Sequence, residues 1–320
     1  MTVEFGLALE NFTPQDKSPS FDSLVEYSNE AERLGFSSLW AWDHIFLGAR
    51  RPFPFFEALT TLSLLASRTS TIGLGTGVLV LPIREPAVLA KAASTLHIAS
   101  GGRLTLGMAA GWYEREFEAT AVSFKGRGAV FERNLEILYR LWEEDDVSGD
   151  YDGRVFKHVR MLPLTKPRPR VLIGGYVDRV LERVATKSDG WLTYFYTAED
   201  FRQAWAKIGH FAETAGRDPA ELGNVAQLPL CIASSYEDAT RRSLAYVAEY
   251  FDVAEWSRST PESSVRGTPE QCAEQIEAHI RAGAQHLVFC PCDYDLEQVG
   301  RLATEVLPLL GWTGAGPAAL

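Results

Sequence analysis

Cysteine is scarce in this chain, and long apolar runs are missing. Four cysteines (Cys231, Cys272, Cys290, Cys292) stand in 320 residues. Only the C-P-C-D pair is closely spaced, so neither paired zinc knuckles nor a disulfide framework can be drawn. The thiols are read as reduced, in a cytoplasmic protein. No stretch approaches about 18 consecutive apolar residues, and the opening M-T-V-E-F-G-L-A-L-E lacks a basic region before an apolar core. Neither membrane insertion nor export is therefore expected. Positive charge is also short, 31 Lys and Arg against 42 Asp and Glu for a net charge of -11. That balance argues against nucleic acid or an anionic membrane as partner and leaves a small molecule. What remains is an ordinary globular composition, 46% hydrophobic and 23% charged, read as one large domain over residues 1–320.

Apolar strand patterns alternate with helical ones along the whole chain. Strands are expected at Val3 to Leu9, Ser37 to Trp42, the two runs within Ser70 to Gly111, Arg170 to Ile173, Trp191 to Tyr196, Val225 to Ala233 and His286 to Cys290. Helices are expected at Phe21 to Leu34, Glu57 to Ser67, between the paired runs, at Ala129 to Glu144, up to Lys187, Ala215 and Phe251, at Gln271 to Ala282 and at Leu296 to Leu310. Residues 145–169, rich in turn formers and proline, break the rhythm and read as an insertion able to form a hairpin. Eight strand and helix pairs predict an α/β fold, a (β/α)8 TIM barrel with an insertion after the fourth β/α unit. An open doubly wound sheet is the alternative.

In such a barrel, chemistry gathers at the carboxyl ends of the strands. The candidates there are Asp43 and His44, Gly77 and Val78, Ala110, Gly111 and Trp112, Gly174 and Gly175, Tyr194 and Tyr196, and Cys290, Cys292 and Asp293. Asp43 and His44 offer a carboxylate and an imidazole that titrates near neutrality, and as neighbours in an extended segment they should leave on opposite faces. Gly174 and Gly175 precede a helix, whose N-terminus favours an anion. The glycines of S-T-I-G-L-G-T-G-V-L-V-L-P do not open a helix, which argues against a dinucleotide fingerprint. They leave two readings, tight barrel packing or close approach of a planar body. A barrel glycosidase would need a second carboxylate as well placed as Glu114, and none is evident.

The segments A-E-R-L-G-F-S-S-L-W-A-W-D-H, G-T-G-V-L-V-L-P-I-R-E-P, S-G-G-R-L-T-L-G-M-A-A-G-W-Y-E-R-E-F, V-L-I-G-G and G-T-P-E-Q-C-A-E-Q-I occur in that order. By these motifs the chain resembles the bacterial luciferase-like superfamily, barrel oxidoreductases that use FMN or the deazaflavin coenzyme F-420. The resemblance implies a non-prolyl cis bond at Gly77-Val78 supporting the ring, a phosphate contact at Gly174, Gly175 and Tyr176, and a strand-four loop at Ala110, Gly111 and Trp112. It also implies that Asp43 and His44 handle a proton beside the ring. The form W-x-W-D-H is closer to the deazaflavin-dependent branch, which implies hydride transfer with an alcohol, imine or activated alkene. The alternatives are a two-component monooxygenase using reduced FMN from a separate flavin reductase, and a cofactor-binding barrel without turnover. His97 departs from the family pattern, where aspartate is commoner, and no strongly basic cluster is present for a polyglutamate tail. A homodimer is implied by the family. Phe53, Phe55, Phe56, Phe251 and Trp256 are candidates for an apolar lid or for packing against the barrel rim.

Overall fold

The computed structural model describes residues 3–14, 17–48, 52–251 and 260–314. Eight parallel strands close on themselves: β1 (Glu4–Ala8), β2 (Ser38–Ala41), β3 (Gly73–Val80), β4 (Leu104–Ala109), β5 (Arg170–Gly174), β6 (Gly190–Tyr194), β7 (Gly223–Ile232) and β8 (His286–Pro291). Leu7 pairs with Phe289 and Tyr194 with Gln227, which completes the ring. The doubly wound alternative is thereby excluded. A short strand missed by the sequence pattern, Val265–Gly267, pairs with β7 outside the ring. The insertion forms the hairpin Val147–Tyr151 with Arg154–Val159.

Local chemistry sets the helix boundaries. The helix Phe21–Leu34 begins where the Ser20 hydroxyl accepts from the Ser23 N–H. The helix Pro269–Arg281 begins with a reciprocal pair, the Thr268 hydroxyl on the Gln271 N–H and the Gln271 side chain on the Thr268 N–H. The stretch expected as one helix over Leu296 to Leu310 changes winding, from α at Leu296–Arg301 through a π turn to a 3-10 turn at Leu307–Leu310. Pro308 has no N–H to carry an α ladder through that last turn.

The glycines of β3 have two different neighbours inside the ring. A methyl group on Gly75 would lie 2.4 Å from Trp40, so Gly75 is barrel packing. Gly77 sits where the register with β4 jumps from Thr76–Leu106 to Leu79–Met108, an extra residue that bulges the strand. The Gly77-Val78 peptide is cis, as the resemblance implied.

At the amino ends of the strands the barrel is closed by a polar cluster. His286 Nε2 lies 2.8 Å from the Ser38 hydroxyl, which also accepts from the Trp40 indole at 2.8 Å. Burial, assisted by the Arg170 charge, pushes the His286 imidazole down to about 3. Glu4 Oε2 stands 3.3 Å from Nδ1 and opposes this, but Glu4 is more than half exposed and water screens it. The folded ring therefore stays neutral while the unfolded ring takes up a proton below about pH 6.5. The stability it contributes is whole above that pH and is lost as the pH falls toward 3. Unfolding free energy from urea titrations should drop by about 2 kcal/mol between pH 7.5 and 5 through this group. The His286→Gln variant should lack that part of the slope, and identical slopes in the two proteins would contradict the assignment.

Candidate active site

A cavity of about 530 Å³ opens at the carboxyl ends of the strands. Asp43, His44, Gly77, Val78, Ala110, Gly111, Trp112, Gly174, Gly175 and Tyr176 all line it, together with Tyr194 and Tyr196. Segments as far apart as β2 and β6 thus meet on one surface. The strand-eight candidates do not join them. Cys290 and Cys292 are buried away from the cavity, and Asp293 lies within the short turn Cys292–Tyr294. Nor do the proposed lid aromatics line it: Phe55 stacks on Phe12 at 4.8 Å and Phe56 on Phe21 at 4.2 Å, while Phe53 and Phe251 pack edge-on against Phe12. Trp256 lies outside the described residues.

Asp43 and His44 diverge as an extended pair should. Asp43 Oδ2 accepts from the Val80 N–H at 3.0 Å and Oδ1 from Arg84 at 2.5 Å, so this carboxylate ties β2 to the end of β3. Burial pushes the Asp43 carboxyl up, opposed by the Arg84 guanidinium and the Val80 N–H. His44 turns the other way, with Nδ1 2.9 Å from Oε2 of Glu116. Glu116 is 1% exposed, and its Oε1 accepts from the Ile45 N–H at 2.6 Å. A carboxylate oxygen accepts, so Nδ1 is the donor of this pair and Nε2 is the ring nitrogen on the far side. Both residues also reach the cavity wall.

Glu116 was not nominated from the sequence, where Glu114 drew notice. The short helix Glu114–Ala119 buries Glu116 and Phe117 and leaves Glu114 exposed. The E-R-E-F stretch carried no signal of that contact. Arg127 and Arg183 are further additions to the wall. Arg127 Nε donates to the Gly111 carbonyl at 2.8 Å and its guanidinium lies over Phe124 at 3.9 Å. Arg183 donates to Glu132 Oε1 at 2.6 Å. Beside them the helix Asp178–Lys187 starts at Val177 with no side-chain cap, leaving first-turn N–H groups without a side-chain acceptor. Gly175 reaches this turn with φ 143, and a methyl there would lie 2.8 Å from Val180. Burial pushes the Tyr194 and Tyr196 phenols up, Tyr196 to about 12, so both stay neutral at physiological pH.

A family described as luciferase-like monooxygenase matches residues 3–286. The chain belongs to this family. Among curated proteins, this luciferase-like chain is similar to an F420-dependent glucose-6-phosphate dehydrogenase of Amycolatopsis mediterranei (strain U-32), 27% identical with 97% of this chain and 98% of that protein covered. Among solved structures it shares its fold with an F420-dependent secondary alcohol dehydrogenase in complex with an F420-acetone adduct, TM-score 0.79 at 16% identity, covering 99% of this chain and 100% of the other. It shares it equally with the oxygenating constituent of 3,6-diketocamphane monooxygenase of Pseudomonas putida in complex with FMN, TM-score 0.79 at 18% identity, covering 96% and 99%.

The buried carboxylate gives a direct test of this arrangement. Glu116→Ala removes the acceptor for the Ile45 N–H and for His44 Nδ1 and should cost about 2–4 kcal/mol of unfolding free energy. Glu116→Gln, which keeps the shape and one acceptor, should cost about half as much or less. Urea titration at pH 7 measures both, and a Glu116→Ala loss under about 0.5 kcal/mol would show that the carboxylate holds nothing in place.

Proposed function

We propose that this luciferase-like protein is an oxidoreductase that uses coenzyme F-420 for hydride transfer with a small organic substrate, an alcohol, imine or activated alkene. The observation that carries the reading is His44 on the cavity wall, oriented from behind by the buried Glu116 and facing the same space as the Gly77-Val78 bulge. The residues present fit such a coenzyme. The bulge offers a face without a side chain at Gly77, and Gly174, Gly175 and Tyr176, with the uncapped helix start and the guanidinium of Arg127, suit a phosphate. Tyr194, Phe195 and Trp112 give the remaining wall an apolar, aromatic character. When bound, the deazaflavin supplies two-electron hydride chemistry. The chain's own part is to orient, to exclude water and to accept or donate a proton at Nε2 of His44, with Asp43 fixing the backbone that presents it.

A second reading has its own support. No strongly basic cluster for a polyglutamate tail is evident in the sequence, and a neighbour of equal TM-score carries FMN. In that reading the protein is a monooxygenase supplied with reduced FMN by a separate flavin reductase. In either case we take the 320 residues as one domain, acting as a homodimer in the cytoplasm, with a small-molecule substrate.

Fluorescence titration of the purified protein with oxidised F-420, FMN and reduced FMN should show selective binding of F-420. Selective binding of reduced FMN would move the assignment to the monooxygenase, and binding of none would leave a barrel without turnover. His44→Ala should bind the coenzyme within about threefold of wild type yet lose about 10²–10⁴ in single-turnover rate. Full rate across pH 6 to 9 in that variant would remove His44 from proton transfer.

A further inference from the structure

Gln227 on β7 is 1% exposed, and among the described residues neither its Nε2 nor its Oε1 has a hydrogen-bond partner. Its main chain is fully engaged: the Gln227 carbonyl accepts from the Phe195 N–H at 3.0 Å, and in register it stands between Tyr194 of β6 and Val288 of β8. Tyr194 lines the cavity, and alternation along paired strands puts the Gln227 side chain on the same, inner side of the ring. There it reaches the bulge. A methyl group on Gly77 would lie 2.8 Å from Nε2, 3.0 Å from Oε1 and 3.2 Å from Cδ, and Gly77 itself is cavity lining.

A buried primary amide with both polar atoms idle destabilises the ligand-free protein relative to an apolar side chain of the same shape. Packing alone gives no reason for it, since a methionine or leucine would fill the same space against Gly77. Such a group makes sense when its partner arrives from outside. An amide presents a donor and an acceptor side by side, which complements an edge that carries an N–H next to a carbonyl. Both coenzymes considered above have such an edge on their planar ring, and glycine at 77 is the one residue that leaves no side chain between the amide and that face.

We propose that Gln227 is a ligand-positioning residue, whose amide forms its hydrogen bonds only when a planar ring with a carbonyl and N–H edge covers the Gly77-Val78 bulge. The inference rests on the coenzyme reading only in requiring one of those two rings. The test is Gln227→Met, which keeps length and flexibility and removes the polar end. Ligand-free melting temperature and the dissociation constant for whichever coenzyme the wild type binds are measured side by side. The melting temperature should be unchanged or raised by up to about 3 °C, while affinity falls about tenfold or more, which is about 1.4 kcal/mol. A lowered melting temperature assigns the amide to the fold and overturns the proposal, whatever the affinity. Unchanged affinity overturns it too. If the wild type binds neither coenzyme, the coenzyme reading fails and takes this proposal with it, a result separate from a variant that binds as well as wild type.

Discussion

One extra residue in β3 governs the upper half of this barrel. Past the register jump at Gly77 and Val78, Val80 is back in register with Ala109 of β4 and points its N–H at Asp43, 3.0 Å away. Asp43 in turn fixes where β2 ends, and the next residue, His44, leaves on the opposite side toward Glu116. Move the bulge by one position and side-chain alternation would send the following residues of β3 to the other face. The Arg84 guanidinium then would have no carboxylate at 2.5 Å. Strand register, not any single strong contact, is what sets the direction of the imidazole.

The carboxylates around this turn are buried and paired, although Arg84 Nε has no partner among the described residues, and that shapes their energetics. Asp43 with Arg84 and Val80, and Glu116 with His44 and Ile45, are pairs whose desolvation consumes much of their attraction. Their worth lies in what happens when one member is lost, because the partner is then left in a low-dielectric interior. Such pairs hold geometry more than they add stability. They also couple the loops after β2, β3 and β4, so a disturbance in any of these should be felt at His44.

Much of this architecture was legible in the sequence because it rests on periodicity. Strand and helix alternation, the insertion at 145–169 and the residues at strand ends all follow from local patterns that the barrel does not override. The glycines of β3 were legible only as a question. Gly75 answers it with packing, under Trp40, and Gly77 with an open face above a buried amide, and nothing local separates the two. Glu116, 72 positions from His44, and Gln227 are long-range partners whose roles exist only after the ring has closed. The cysteines failed for a different reason. Rank at a strand end says nothing about which side of the mouth is open, and Cys290 and Cys292 stand on the closed side.

That asymmetry of the mouth is the last determinant of the site. On the side of β7, β8 and β1 the opening is filled by an aromatic group: Phe12 against Trp42 at 5.7 Å, Phe251 against Phe195 at 5.0 Å, and Tyr250 against Tyr294 at 5.6 Å. The first two of these contacts are edge-to-face and the third is tilted, and such packing favours fixed ring positions. Trp42 belongs to both halves, lining the cavity with its ring while its indole N–H donates to the Tyr294 hydroxyl at 3.0 Å. The plug therefore confines a ligand to the ends of β2 through β6. It also places the polar turn of Gly174 and Gly175 at one end of that space and His44 at another. In the function proposed above, the anionic part of the coenzyme would lie at the first of these ends and its ring against the aromatic wall formed by Trp42 and Phe195.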